Sequence, residues 1–311
     1  MIKHLLSIAN LESETLASLV DRSVAFASGA CDDCKSLVGK MVGVYFPRPS
    51  TRTRTSFTVG AMKLGAQTIA FGRNDLQITT GETVEDTARV LSGYLNAFVI
   101  RTNDDIGEMK ILANQGEMAV INAMSRDEHP TQAIADLSTI KEAFGRLNGL
   151  HLLYMGEGNN TAAALALAFA KTPTMRITLV TPKRYGLPSS VLEQAAELAR
   201  QTGSVIEQHH NVQNLPKDVD VVYTTRWQTM GEPHPDPDWQ EQFRPYSVTS
   251  AIMSRVSKPR GAIFLHDLPA VLGEEVQKEV LNGPKSLAWR QARHKMFGAM
   301  AILEWCLKEA G

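Results

Sequence analysis

The chain has 311 residues, 43% hydrophobic and 21% charged, which suits an ordinary soluble core built as one large or two medium domains. Its formal net charge is -1, with Lys+Arg 32 against Asp+Glu 33, so no overall field selects a nucleic-acid polyanion or an acidic membrane. No run approaches the ~20 apolar residues of a membrane span, and Met1–Leu6 meets Glu12 and Glu14 without the apolar stretch of a secretory signal, so a cytoplasmic location is expected.

In chain order, Asn10-Leu11-Glu12-Ser13-Glu14 reads as a capped helix start, continued by Leu16, Leu19 and Val20 at helical spacing. Cys31 and Cys34 form a C-x-x-C without the second pair a zinc site wants, and read as a surface turn with no metal or redox role. Met41–Phe46 is an apolar run ended by Pro47, a buried strand. An amphipathic helix then reaches Gly65, Gln67–Phe71 is a strand, 82–95 a helix and 97–100 a strand. Ala133–Phe144 reads as a connecting helix. After Asn148-Gly149 the alternation restarts: strand 150–155, helix 161–170, strand 177–180, helix 190–201, and strands at 219–223 and 262–265. A last helix covers about 287–308. Pro233–Pro237 reads as a long loop, the kind that often carries function. The whole is α/β: two domains, each a central parallel sheet flanked by helices, expected at 1–135 with the C-terminal helix 287–311, and at 136–286.

Ser50-Thr51-Arg52-Thr53-Arg54-Thr55-Ser56 lies between a predicted strand and a predicted helix. Free N–H groups and the positive dipole end at a helix N-terminus, with hydroxyls and guanidinium groups added, make a phosphate site without a glycine-rich loop. A Ser/Thr cap with two solvated arginines is the other reading of the same residues. Two further segments favour the anion site: Arg101 ends a predicted strand, and His129-Pro130-Thr131-Gln132 precedes a helix. Ligands of open parallel sheets bind outside the C-terminal ends of the strands, where all three segments fall.

Phe46-x-x-Pro49-Ser50-Thr51-Arg52-Thr53-Arg54-Thr55-Ser56-Phe57, followed in order by Arg101, His129-Pro130-Thr131-Gln132 and Leu268-Pro269, resembles the signature set of the aspartate/ornithine carbamoyltransferases over essentially the whole chain. The resemblance implies a carbamoyl-phosphate domain, an acceptor domain, and a homotrimer with shared active sites. Neither a metal nor an organic cofactor is implied. It assigns Ser50, Thr51, Arg52 and Thr53 to the phosphate, and Arg101, His129 and Gln132 to the carbamoyl end. The main-chain carbonyl of Leu268 would take the amide protons. Gln77 would come from the adjacent subunit, and Lys295 falls near the place of a C-terminal arginine. Arg52, Arg101, His129 and Asp267 are the expected catalytic residues.

The acceptor side departs from both branches of the family. Gly156-Glu157-Gly158-Asn159-Asn160 resembles the ornithine branch, so Asn160 inherits an α-carboxylate contact. In Thr225-Arg226-Trp227-Gln228-Thr229-Met230-Gly231, Thr225 stands where that branch has Asp, while Arg226 and Gln228 resemble the carboxylate-binding pair of the aspartate branch. Asp267 stands where the ornithine branch has Cys, and reads as an ammonium partner or proton acceptor rather than a solvent-facing Asp. The expected acceptor-binding set is Asn160, Thr225, Arg226, Gln228, Thr229, Met230 and Asp267. The expected substrates are carbamoyl phosphate and a small amino acid: ornithine, or an ornithine-like diamino acid such as 2,3-diaminopropionate. Two other readings remain at this point. One is a non-catalytic, ligand-binding homologue. The other is a dinucleotide-dependent oxidoreductase, from the loose Gly156–Thr161 glycine pattern, which lacks a third glycine and a following acidic residue.

Overall fold

The computed structural model describes residues 2–30, 35–228, 234 and 236–308, so Cys31, Cys34, Thr229, Met230 and Gly231 lie outside the described residues. The chain divides into two compact units, Met1–Glu142 with Arg293–Gly311, and Ala143–Ala292.

The first unit runs α1 (Ser13–Ala27), β1 (Met41–Tyr45), α2 (Arg52–Lys63), β2 (Gln67–Phe71), α3 (Val84–Ser92), β3 (Ala97–Arg101), α4 (Gly107–Asn114), β4 (Ala119–Met124) and most of α5 (Pro130–Phe144). Its sheet is parallel with order β2-β1-β3-β4. β4 is buried at every position and reads as an almost continuous apolar run, as parallel strands covered on both faces do. The N-terminal segment shields its free edge. Leu5 N–H donates to the Val120 carbonyl at 3.0 Å and Asn122 N–H donates to the Leu5 carbonyl at 2.7 Å. Glu128 fastens the same segment by accepting from Ile8 N–H at 2.7 Å, and burial pushes its carboxyl up to about 7.

The second unit runs β5 (His151–Met155), α6 (Asn160–Lys171), β6 (Arg176–Val180), α7 (Ser189–Thr202), β7 (Val205–His209), β8 (Val221–Thr224), α8 (Trp239–Phe243), α9 (Ser250–Val256), β9 (Ile263–His266) and α10 (Lys278–Leu281). α11 (Ala288–Leu307) starts here and continues into the first unit. The sheet is parallel with order β7-β6-β5-β8-β9. α6 is buried all round, consistent with its run of Ala, Leu and Phe. One apolar cluster packs Leu153, Val222, Phe264 and Val276.

Several local expectations differ from the structure. The side chain of Ser7 accepts from Ala9 N–H and caps a short 3-10 turn, whereas α1 starts at Ser13 with no side-chain cap on Glu12. The connecting helix starts at Pro130 rather than Ala133, because proline fits a first helical turn that needs no N–H partner. Strands β4 and β7 and helices α4, α8, α9 and α10 had no counterpart in the sequence reading. Among the described residues, no helix is long and apolar enough to cross a membrane.

Candidate active site

In the first unit, order reverses at β1, with β2 on one side and β3 on the other, the kind of switch point where parallel sheets bind ligands. The segment after β1 leads into α2. Thr51 is its N-cap residue and makes no side-chain cap bond. Tyr45 pairs in register with Ile100, which brings Arg101 alongside this segment, and Arg101 Nη1 donates to Ser50 Oγ at 3.1 Å. Thr53 is buried, Arg52 half-buried and Arg54 exposed.

β4 leads to His129, which is buried. Burial, and then the like charges of Lys295 and Arg101, hold its imidazole well below the usual histidine range. His129 Nδ1 lies 3.3 Å from Thr131 Oγ1. When Thr131 donates there, Nε2 carries the proton and is left as a neutral donor. Lys295 Nζ donates to Gln132 Oε1, and Gln132 Nε2 donates to Asp136 Oδ1 at 2.7 Å. Helix α11 thus brings a buried ammonium to the same cluster. Gln77 stands apart on an exposed 3-10 turn, where its Oε1 accepts from Thr80 Oγ1 at 2.5 Å.

In the second unit the switch falls between β5 and β8. Met155 pairs with Thr224 and Thr224 pairs with His266, so the residues just past these strand ends are neighbours. Thr225 Oγ1 donates to Asp267 Oδ1 at 2.8 Å and Thr161 Oγ1 donates to Asp267 Oδ2 at 3.1 Å. Asp267 is not turned to solvent: its side chain is 15% exposed and both oxygens are engaged. Asn159 caps α6 by accepting from Thr161 and Ala162 N–H, and Asn160 is buried in the first turn. Arg226, Gln228 and Leu268 are half-buried. Leu268 has φ 56 and a cis bond to Pro269.

The glycine-containing turn after β5 has a packing cause. A Cβ on Gly158 would lie 2.4 Å from Leu187 N and 2.5 Å from Gly186 C, so this glycine admits a neighbouring loop.

The carbamoyl-P binding domain of aspartate/ornithine carbamoyltransferase matches residues 3–142, and the Asp/Orn binding domain of the same family matches residues 148–306. The chain belongs to the aspartate/ornithine carbamoyltransferase family. Among carbamoyltransferases of this family, the ornithine carbamoyltransferase of Methanothermobacter thermautotrophicus is 38% identical over 308 residues, covering 98% of this chain and 99% of the relative. That of Anoxybacillus flavithermus is 40% identical over 267 residues, covering 86% of this chain and 84% of the relative. The solved structure of ornithine carbamoyltransferase from Pyrococcus furiosus superposes with a TM-score of 0.92 at 32% identity, covering 99% of this chain and 98% of that one. This carbamoyltransferase framework replaces the dinucleotide and non-catalytic readings of the Gly156–Thr161 turn and the altered pocket.

Thr161, Asp136 and Glu275 belong to the local networks of these sites and were missed from sequence. Thr161 had a signal, since a hydroxyl in the first turn of a helix after a switch-point strand faces the strand ends. Asp136 had one as well, lying one helical turn after Gln132, whereas Glu275 had none, because it meets His266 across a loop.

Proposed function

We propose that the protein transfers the carbamoyl group of carbamoyl phosphate to an amine of a diamino acid, with ornithine as the acceptor named by its relatives. The observation that carries the acceptor side is Asp267. Its two oxygens are held by Thr225 and Thr161, which leaves a fixed carboxylate at the strand ends to receive an ammonium group. Arg226, Gln228 and Asn160 supply donors for the carboxylate of the same amino acid, and the family resemblance assigns Thr229 and Met230 to acceptor binding as well. Asp267 acts there as a recognition group and stands near the proton that the attacking amine must lose.

On the carbamoyl phosphate side, Ser50, Thr51, Arg52 and Thr53 hold the phosphate at the start of α2. Arg101, His129 and Gln132, with Lys295 behind Gln132, face the carbamoyl group, and the Leu268 carbonyl accepts its amide protons. The amine nitrogen bonds to the carbonyl carbon, the carbon–oxygen bond to phosphate breaks, and the amine proton leaves. Negative charge grows on the carbonyl oxygen and on the departing phosphate, where fixed cationic and N–H donors lower the barrier. Holding two substrates in register supplies much of the rest. The first unit serves carbamoyl phosphate and the second the acceptor, with their boundaries at 142/143 and 292/293 rather than at the 135/136 and 286/287 expected from sequence. The working form is a cytoplasmic homotrimer in which Gln77 serves a neighbouring subunit.

The paired departures at Thr225 and Asp267 favour a second acceptor, a shorter diamino acid such as 2,3-diaminopropionate. A carbamoylation panel with ornithine, 2,3-diaminopropionate, 2,4-diaminobutyrate, lysine, aspartate and putrescine tests both, following phosphate release and ureido product. Turnover with a carboxylated diamine is expected, and Arg52→Ala should lower it about 10²–10³-fold. No turnover with any of them would remove the reading.

A further inference from the structure

Two fully buried side chains next to the acceptor site have no part in the roles above. His266 ends β9, and Glu275 lies in the loop that follows. His266 Nε2 is 3.1 Å from Glu275 Oε1, which also accepts from Val271 N–H at 2.6 Å. On the other side of the ring, Leu268 N–H donates to His266 Nδ1 at 2.8 Å. A backbone amide can only donate, so Nδ1 is bare and Nε2 carries the proton toward Glu275. The main chain of His266 is fixed as well, its N–H donating to Gln291 Oε1 at 2.9 Å. Carboxylate, imidazole and amide therefore form one line that ends on the backbone of Leu268.

Leu268 needs such a hold. Its φ of 56 is a left-handed conformation that a leucine keeps only where its surroundings impose it. The carboxylate is a costly choice for stability alone. Glu275 Oε2 is buried with no hydrogen-bond partner among the described residues, a penalty an apolar side chain would avoid. A buried carboxylate that orients a histidine, which in turn orients a third group, is a recurrent way of fixing geometry.

We propose that Glu275, acting through His266, is a positioning residue that aims the Leu268 carbonyl at the amide N–H groups of the carbamoyl donor. This rests on the reading above in which that carbonyl accepts the amide protons. The carbonyl then selects carbamoyl phosphate over acyl phosphates such as acetyl phosphate, which has a methyl group where the carbamoyl group has NH2.

The test is equilibrium binding of carbamoyl phosphate, acetyl phosphate and inorganic phosphate to the full chain, together with kcat. The parent should prefer carbamoyl to acetyl phosphate by about tenfold, the value of one good hydrogen bond. Glu275→Met should lose most of that preference and about tenfold or more in kcat, with inorganic phosphate bound as before. Glu275→Gln keeps one acceptor oxygen for the ring and should recover most of both. A double variant, His266→Asn with Glu275→Met, supplies an asparagine oxygen that can accept from the N–H two residues on, and should recover the preference. It decides the matter should Glu275→Met not fold. A preference kept by Glu275→Met, or absent from the double variant, overturns the inference alone. A parent that binds carbamoyl and acetyl phosphate alike overturns the Leu268 reading and this inference with it.

Discussion

Asp267 and Thr225 are single residues whose meaning depends on each other. At 2.8 Å the hydroxyl donates to the carboxylate, and a carboxylate at position 225 would set two like charges at hydrogen-bond distance. Thr225→Asp should therefore raise the KM for the acceptor at least tenfold. Adding Asp267→Cys, which restores the ornithine-branch pair of residues, should bring it back. Acceptor saturation curves check this, and a Thr225→Asp protein as active as the parent would contradict it. His129 makes a different prediction. Its folded-state pKa lies well below 6.5, so the unfolded chain takes the proton first as the pH falls. Stability from this site is complete above about 6.5 and is lost below it. In activity, the imidazole stays neutral from about pH 6 to 8, and the profile of kcat/KM should carry no inflection in that window that disappears in His129→Gln.

At the scale of elements, the strand–turn–helix alternation was readable because the apolar runs are short and bounded by Gly, Pro and Asn, as at Met41–Tyr45 and His151–Met155. The site segments were readable too, since Ser50–Thr53 follows a predicted strand, Arg101 ends one and His129 precedes a predicted helix. β4 escaped notice because Ala119–Met124 carries Asn122 in an otherwise apolar run, and its edge is completed by Leu5, far away in sequence. The Thr225–Asp267 bond depends on strand register, which no local pattern encodes. The N-terminal segment on β4 gives a pH test. Burial lifts the folded pKa of Glu128 from the ordinary 4.5 to about 7, so the native state takes the proton first and stability falls as pH rises from about 4.5 through 7. Glu128→Gln keeps an acceptor for Ile8 N–H without the buried charge. It should raise stability at pH 8 by on the order of 2–3 kcal/mol, with little gain below pH 5. Denaturant melts at the two pH values measure this.

At the scale of the whole molecule, Gln77 is exposed on its own unit, which the proposed service to a neighbouring subunit requires. Gln77→Ala and Arg101→Ala chains, each inactive alone, should regain activity when dissociated and reassociated together, because some sites then draw an intact Arg101 and an intact Gln77 from different chains. Mixed oligomers without recovery would confine each site to one chain. The path of the chain has a separate consequence. The sequence match assigns 148–306 to the acceptor-side domain, yet α11 from Arg293 onward packs within the first unit. The second unit is therefore an insertion between two pieces of the first. Ending the gene at residue 142 would strip the first unit of the helix that carries Lys295. The natural cassette for grafting another relative's acceptor specificity is residues 143–292. Both splices fall inside helices, α5 and α11, so a graft one residue too long or too short would rotate everything beyond the joint by about 100° around the helix axis.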